Sequence, residues 1–272
     1  VYWVTGEEKF ARFATDIFNV WLVGTYYMNP ILDPGKSCGS SGGWEPGGIC
    51  GYYDYEQIHD DLAMHAAMVY DFAFDYLSRH PHAHLKEIGK DTKSVAVEVF
   101  KRFINIGLVR GGKSGNWNVN GWNMMLRPVL VLDSDEAYPD GKGKEYYLNL
   151  LVNESTPYHD AIPDMLKTYD PVTGLWPESP GYSFGTIQML LDWAAPLKRA
   201  GIDIIAGNPI LQKAAMAVFP WMDDAANMVV FGDSRGGSAN FQTFENLLAY
   251  YAGITDKAGM EKVASALNLS LI

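Results

Sequence analysis

The feature that most constrains the fold is a helical period that recurs along most of the chain. Phe10, Phe13, Ile17, Trp21 and Gly24 fall at steps of three or four residues. Ile58, Leu62, His65, Val69, Phe72 and Tyr76 repeat the step, as do Val95, Val99, Phe103 and Ile106. Trp122, Met125, Val129 and Leu132 form a further stripe, and Phe184, Ile187, Leu191 and Ala194 another. An α-helix turns once in about 3.6 residues, so apolar side chains at this spacing share one face, and that face is expected to be buried. Alternating strand patterns are scarce. Residues 228–231 are the best short candidate, and they stop at Gly232 and Asp233. The expected class is all-α, with roughly ten helices pairing as antiparallel hairpins. Hairpins set around an axis give an incomplete α/α toroid; a plain bundle or solenoid has the same periodicity.

A chain of 272 residues with 48% apolar and 19% charged residues can bury a sizeable core, which excludes wholesale disorder. It is read as one domain, 1–272. The formal net charge of −11 argues against nucleic acid or an anionic membrane surface as partner. No apolar run is long enough to span a bilayer. No signal peptide is visible; the chain opens on Val1-Tyr2-Trp3-Val4, already in an apolar pattern, and reads as cut from a longer precursor. Cys38 and Cys50 flank a Gly-rich loop and are either bonded or free. Gly/Pro-rich loops at 30–51, 111–115 and 171–181 are long for a compact helical protein, and such loops often carry function.

Four segments could hold chemistry. In the first, Arg110 and Lys113 precede Asn116, Trp117, Asn118 and Asn120 at a helix start. Amide donors beside cations suit a carboxylate whose charge grows during reaction. The same residues also suit an ordinary glycine turn and helix cap. In the second, Trp176-Pro177-Glu178-Ser179-Pro180-Gly181-Tyr182, a helix entrance presents a tyrosine able to move a proton and a glutamate able to cap or to bind a hydroxyl. A half-buried structural tyrosine is the plainer reading. In the third, Tyr52, Tyr53 and His59 crowd a helix start with Asp60 and Asp61. Tyrosine rings can serve as platforms for sugars, since 13% of the chain is aromatic, with 8 Trp and 16 Tyr. Trp122 is a further candidate platform. The fourth, Phe231-Gly232-Asp233-Ser234-Arg235, reads as a tight turn that could meet an oligosaccharide. His65, on an apolar stripe, is read as a core residue, and His80, His82 and His84 as a solvated turn. His159 stays open. There is no phosphate-binding loop, nucleophile elbow or Cys-rich metal signature.

These segments, in this order, resemble the heparinase II/III-like polysaccharide lyases. The likeness runs from Val4-Thr5-Gly6-Glu7-Glu8-Lys9-Phe10-Ala11 through Gly48-Ile49-Cys50-Gly51-Tyr52, Tyr70-Asp71 and Gly115-Asn116-Trp117 to Glu178-Ser179-Pro180-Gly181-Tyr182 and Phe231-Gly232-Asp233. The resemblance implies a helical toroid followed by a C-terminal β-sandwich, which this chain lacks, so that it would be a fragment. It implies that Asn116 neutralises a uronate carboxylate and that Tyr182 is the acid or base, with Glu178 matching the family's glutamate. Trp117 follows the heparinase III branch, since heparinase II has a histidine there. The family's further histidine, from near the β-sandwich, has no assigned counterpart here. The implied activity is β-elimination on an acidic polysaccharide, in the periplasm or outside the cell. It uses no cofactor and no metal at this step, and Arg110, Lys113, Trp117, Asn120, Glu178, Tyr52, Tyr53, His59 and Trp122 are substrate contacts. Two other readings stand beside it. One is a glycoside hydrolase pairing Asp60 or Asp61 with Glu178 or Asp233; the other is a non-catalytic glycan-binding domain.

Overall fold

A computed structural model gives the structure of this protein, and it describes residues 1–27, 62–110, 112–113, 115–217, 219–223, 227–234, 241–251 and 257–270. Tyr52, Tyr53, His59, Asp60, Asp61, Cys38 and Cys50 lie outside the described residues, and of Arg110 only the backbone is described. The described residues are helical and contain no strand; pairing is limited to isolated bridges, Thr156 with His159 and Met222 with Met228. The strand expected at 228–231 is therefore absent: Met228 is buried, whereas Val229, Val230 and Phe231 are exposed, and no neighbouring strand continues the ladder.

The chain divides into two compact units, Val1–Ile162 and Pro163–Ile272. The first holds α1 (Tyr2–Thr5), α2 (Glu8–Tyr27), α3 (Leu62–Phe72), α4 (Phe74–Arg79), α5 (Ala83–Glu87), α6 (Thr92–Arg110), α7 (Gly115–Leu130) and α8 (Lys144–Asn153). A short helix, α9 (Ile162–Leu166), opens at the boundary. The second unit holds α10 (Pro180–Arg199), α11 (Pro209–Met216), α12 (Phe241–Tyr251) and α13 (Lys257–Ser270).

In the first unit α7 is the central element, packed on α3, α6 and α8. The expected stripes of α6 and α7 are in its core. Val95, Val99, Phe103 and Ile106 are buried, as are Trp122, Met125, Val129 and Leu132. Two other expected faces are corrected. On α2 the buried residues are Ala11, Thr15, Phe18, Asn19, Leu22 and Thr25, while Phe13 and Ile17 are 70% and 59% exposed. This helix is apolar on both sides, and packing uses the side on which Phe18 meets Tyr70 at 6.2 Å. Trp21, at the border of the two faces, stacks on Phe103 at 5.8 Å. On α3 the buried face is Ala63, Ala66, Ala67 and Tyr70, and Leu62, His65 and Phe72 face outward. Small side chains let α3 approach α7 closely, so alanines displace the larger stripe from the contact. His65 is accordingly exposed and not a core residue.

In the second unit α10 packs on α11 and α12, and α12 on α13. The α10 stripe is buried as expected, through Phe184, Ile187, Leu191 and Ala194. Phe184 meets Phe244 of α12, and Phe244 stacks on Phe219 at 5.4 Å. Among the described residues no helix is long and apolar enough to cross a membrane.

Candidate functional site

The start of α7 carries the first motif. The chain leaves α6 at Arg110 and re-enters helix at Gly115, whose φ of +62° is a left-handed conformation that glycine adopts without strain. The asparagines that follow separate by depth. Asn118 is buried, and its amide makes a reciprocal pair with the backbone of Asp160: Nδ2 donates to the Asp160 carbonyl at 2.9 Å, and the Asp160 N–H donates to Oδ1 at 2.9 Å. Asn116, Trp117 and Asn120 are half-buried. The Asn116 amide makes no hydrogen bond to any described residue.

The loop before α9 is thereby fastened to α7. Trp122 Nε1 donates to the same Asp160 carbonyl at 3.0 Å, and its ring lies against His159, with centroids 5.6 Å apart. Trp122 is 0% exposed, so it is an interior residue and not the sugar platform expected from the sequence. His159 is 1% exposed and its Nε2 lies 3.2 Å from the Leu151 carbonyl, which assigns the proton to Nε2 and leaves Nδ1 buried without a partner. Burial lowers the His159 pKa below its ordinary value, and the neighbouring Lys113 charge acts in the same direction. Lys113, expected as a substrate cation, is engaged within the chain. Its Nζ donates to the Thr156 carbonyl at 3.0 Å and lies 3.4 Å from Asp160 Oδ1. The Lys113 charge is therefore partly balanced before any anion arrives. Asp160 carries no signal in the sequence, because its partners Asn118 and Trp122 stand 42 and 38 positions away.

The second motif, at the start of α10, lies in the second unit. Its approach is a hydrogen-bonded turn. Asp170 Oδ1 accepts the N–H groups of Val172 and Thr173 at 2.9 and 2.6 Å, and the Gly174 N–H returns to the Asp170 carbonyl at 2.8 Å. Trp176 is buried against Tyr169, and Tyr169 shares a hydrogen bond with Thr186 inside α10 at 3.1 Å. The Trp176 indole N–H donates to Glu178 Oε2 at 3.1 Å. Glu178 is half-buried, and its pKa is raised, first by desolvation and further by the charge of Asp233; the indole hydrogen bond opposes the shift. Pro180 occupies the first helical turn, where its missing N–H costs little. Around it Ser179, Pro180, Ser183 and Phe184 are buried, while Tyr182 is 43% exposed and its hydroxyl makes no hydrogen bond to a described residue. In each motif a side chain that is not buried makes no hydrogen bond to a described residue: Asn116 and Asn120 in the first unit, Tyr182 in the second.

Two other histidines make structural contacts. His80 stacks on Tyr76 at 4.2 Å, and His84 Nε2 pairs with the Tyr27 hydroxyl at 2.7 Å. Among the described residues no group of three His, Cys, Asp or Glu side chains could hold a metal ion.

No family model matches the chain, and no solved structure matches it. It is 20% identical to an endo-acting ulvan lyase of Formosa agariphila over 286 aligned positions, which take in 100% of this chain and 32% of that protein. The chain thus spans about a third of the length of the relative it matches, and it is similar to one part of that enzyme.

Proposed function

We propose that this chain is the helical catalytic part of a polysaccharide lyase that cleaves uronate-containing glycans by β-elimination, built as an incomplete α/α toroid. The observation that carries the reading is the contrast within each motif. Asn118, Trp122, Glu178 and Ser183 are engaged by the protein, whereas the Asn116 amide and the Tyr182 hydroxyl make no hydrogen bond to a described residue and are not buried. The likeness to an ulvan lyase supports the same class of activity.

In this reading each side chain has its own role in the elimination. The uronate C5 proton is weakly acidic, and amide hydrogen bonds from Asn116 to the C6 carboxylate favour the enolate-like intermediate. Tyr182 removes the C5 proton or protonates the leaving O4, according to the stereochemistry of the sugar. The C5–H and C4–O4 bonds break, a C4=C5 double bond forms, and O4 leaves with a proton. Trp117, Asn120 and Glu178 contact the substrate beside them, and Arg110, Tyr52, Tyr53 and His59 are further proposed contacts. Lys113 contributes through the field it shares with Asp160. An acidic polymer as substrate places the protein in the periplasm or outside the cell.

The test is a panel of uronate polysaccharides with ulvan among them, incubated with the protein and read by the ultraviolet absorbance of the unsaturated uronate. The reading expects new absorbance on at least one polymer. Chain cleavage with new reducing ends but no such absorbance would instead select the hydrolase reading, in which Asp60 or Asp61 pairs with Glu178 or Asp233. Binding without cleavage would select the glycan-binding reading.

A further inference from the structure

The turn 231–234 is not used by the chemistry above, yet it meets the motif that carries Tyr182 in three ways. Ser234 is buried, and its Oγ accepts the backbone N–H of Gly181 at 2.8 Å. Gly232 has a φ of +63°, and a Cβ added there would stand 3.4 Å from Ser179 Cβ, so this position combines a left-handed backbone with close approach to the helix cap. Asp233 carries a charge that Glu178 feels.

The reason for these contacts lies in how α10 begins. A helix leaves its first backbone N–H groups without partners inside the helix, and the N-cap side chain ordinarily takes one of them. Here the N-cap residue is Ser179, and it makes no such bond; its Oγ is buried without a partner. Pro180 has no N–H to offer. The first donor is Gly181, and it is taken by Ser234, 53 positions further along the chain. Gly181 directly precedes Tyr182. A glycine has no side chain to hold its torsions, and the hydrogen bond at its N–H fixes the Pro180–Gly181 peptide, one peptide before Tyr182.

We propose that Ser234 is a positioning residue for Tyr182, holding the first turn of α10 so that the phenol is presented at the height and angle the reaction requires. The inference rests on the role given to Tyr182 above. Ser234 touches no sugar; it acts through the Gly181 amide. A misplacement of about 1 Å at a reacting group can cost on the order of 10²-fold in rate, and a lost bond one residue away is enough to permit it.

The test compares the full chain with its Ser234→Ala and Ser234→Thr variants. On a polymer that the wild type cleaves, Ser234→Ala is expected to lose roughly 10- to 100-fold in kcat with KM within about 2-fold. Ser234→Thr, which keeps the hydroxyl, should recover most of the rate. The Gly181 amide should exchange with solvent about 10-fold faster or more in the alanine variant, and the Tyr182 ring resonances should move in it and return in the threonine variant. An alanine variant with wild-type kcat and unmoved Tyr182 resonances overturns the proposal. So does a folded threonine variant as impaired as the alanine one, or a rate loss accounted for wholly by a lower unfolding midpoint. If the wild type cleaves no polymer, the lyase reading fails separately. The resonances of Tyr182 then decide, with movement supporting the positioning role and none refuting it.

Discussion

Replacing Asn118 with alanine tests the contact that fixes the start of α7. Two hydrogen bonds to the Asp160 backbone are lost, both at 2.9 Å, but the two backbone groups fare differently. The Asp160 carbonyl keeps the Trp122 indole as a donor at 3.0 Å. The Asp160 N–H, in a buried residue, is left with no acceptor. An unsatisfied buried donor costs about 1–3 kcal/mol, and the lost net worth of the second bond adds about 1 kcal/mol. Unfilled space behind the shortened side chain adds on the order of 0.5–1 kcal/mol. The expected loss is therefore about 2.5–5 kcal/mol, seen as a lower urea midpoint for the unit containing Trp122, followed by tryptophan fluorescence. Asn120→Ala, two positions on and half-buried, is the control and should stay within about 0.5 kcal/mol. Asn118→Asp should be worse than alanine near neutral pH, because a buried carboxylate would face the Asp160 carbonyl without a donor between them. Equal, small losses in Asn118→Ala and Asn120→Ala would refute the claim that Asn118 ties the loop to α7.

Other consequences follow from burial and charge. His159 has a pKa below the ordinary 6.5, so the unfolded chain takes up its proton first as pH falls. Stability should therefore decline from about pH 6.5 downward and level off once the folded-state pKa is passed, and urea midpoints for His159→Gln should lose this part of the slope. Asp233→Asn removes a like charge near Glu178 and should lower the Glu178 pKa toward its ordinary value, as read by carbon-13 NMR titration of the labelled carboxyl; no change would separate the two groups. On α2, Phe18→Ala should cost about 3–5 kcal/mol in chemical unfolding. Phe13→Ser should cost no more than about 0.5 kcal/mol, because Phe13 faces outward.

The sequence was legible where one helix face carries all the large apolar side chains. That holds for α6, α7 and α10, whose stripes from Val95, Trp122 and Phe184 are buried as their spacing requires. It failed on α2 and α3 for two physical reasons. α2 has apolar residues on both sides, so periodicity marks two faces and only the neighbours choose between them. α3 packs on α7 through alanines, which weigh little in a hydrophobic pattern but permit close approach. The two motifs at helix starts were found because Asn, Gly, Pro and Tyr cluster there in the chain. Their supports were not, because Asp160 reaches Asn118 across 42 positions and Ser234 reaches Gly181 across 53. Trp122 shows the converse error. Its ring made it a candidate sugar platform, whereas its place on the α7 stripe, read alone, required burial.

The whole account depends on a phenol and an amide serving the same reaction. Steady-state rates of uronate cleavage by Tyr182→Phe and Asn116→Ala, set beside their unfolding midpoints, test this most directly. The account predicts that each variant stays folded, with a midpoint close to wild type, because neither side chain is hydrogen-bonded to a described residue. It predicts a fall in kcat/KM of about 10²-fold or more for each. Either variant cleaving within about 2-fold of the wild-type rate would contradict it.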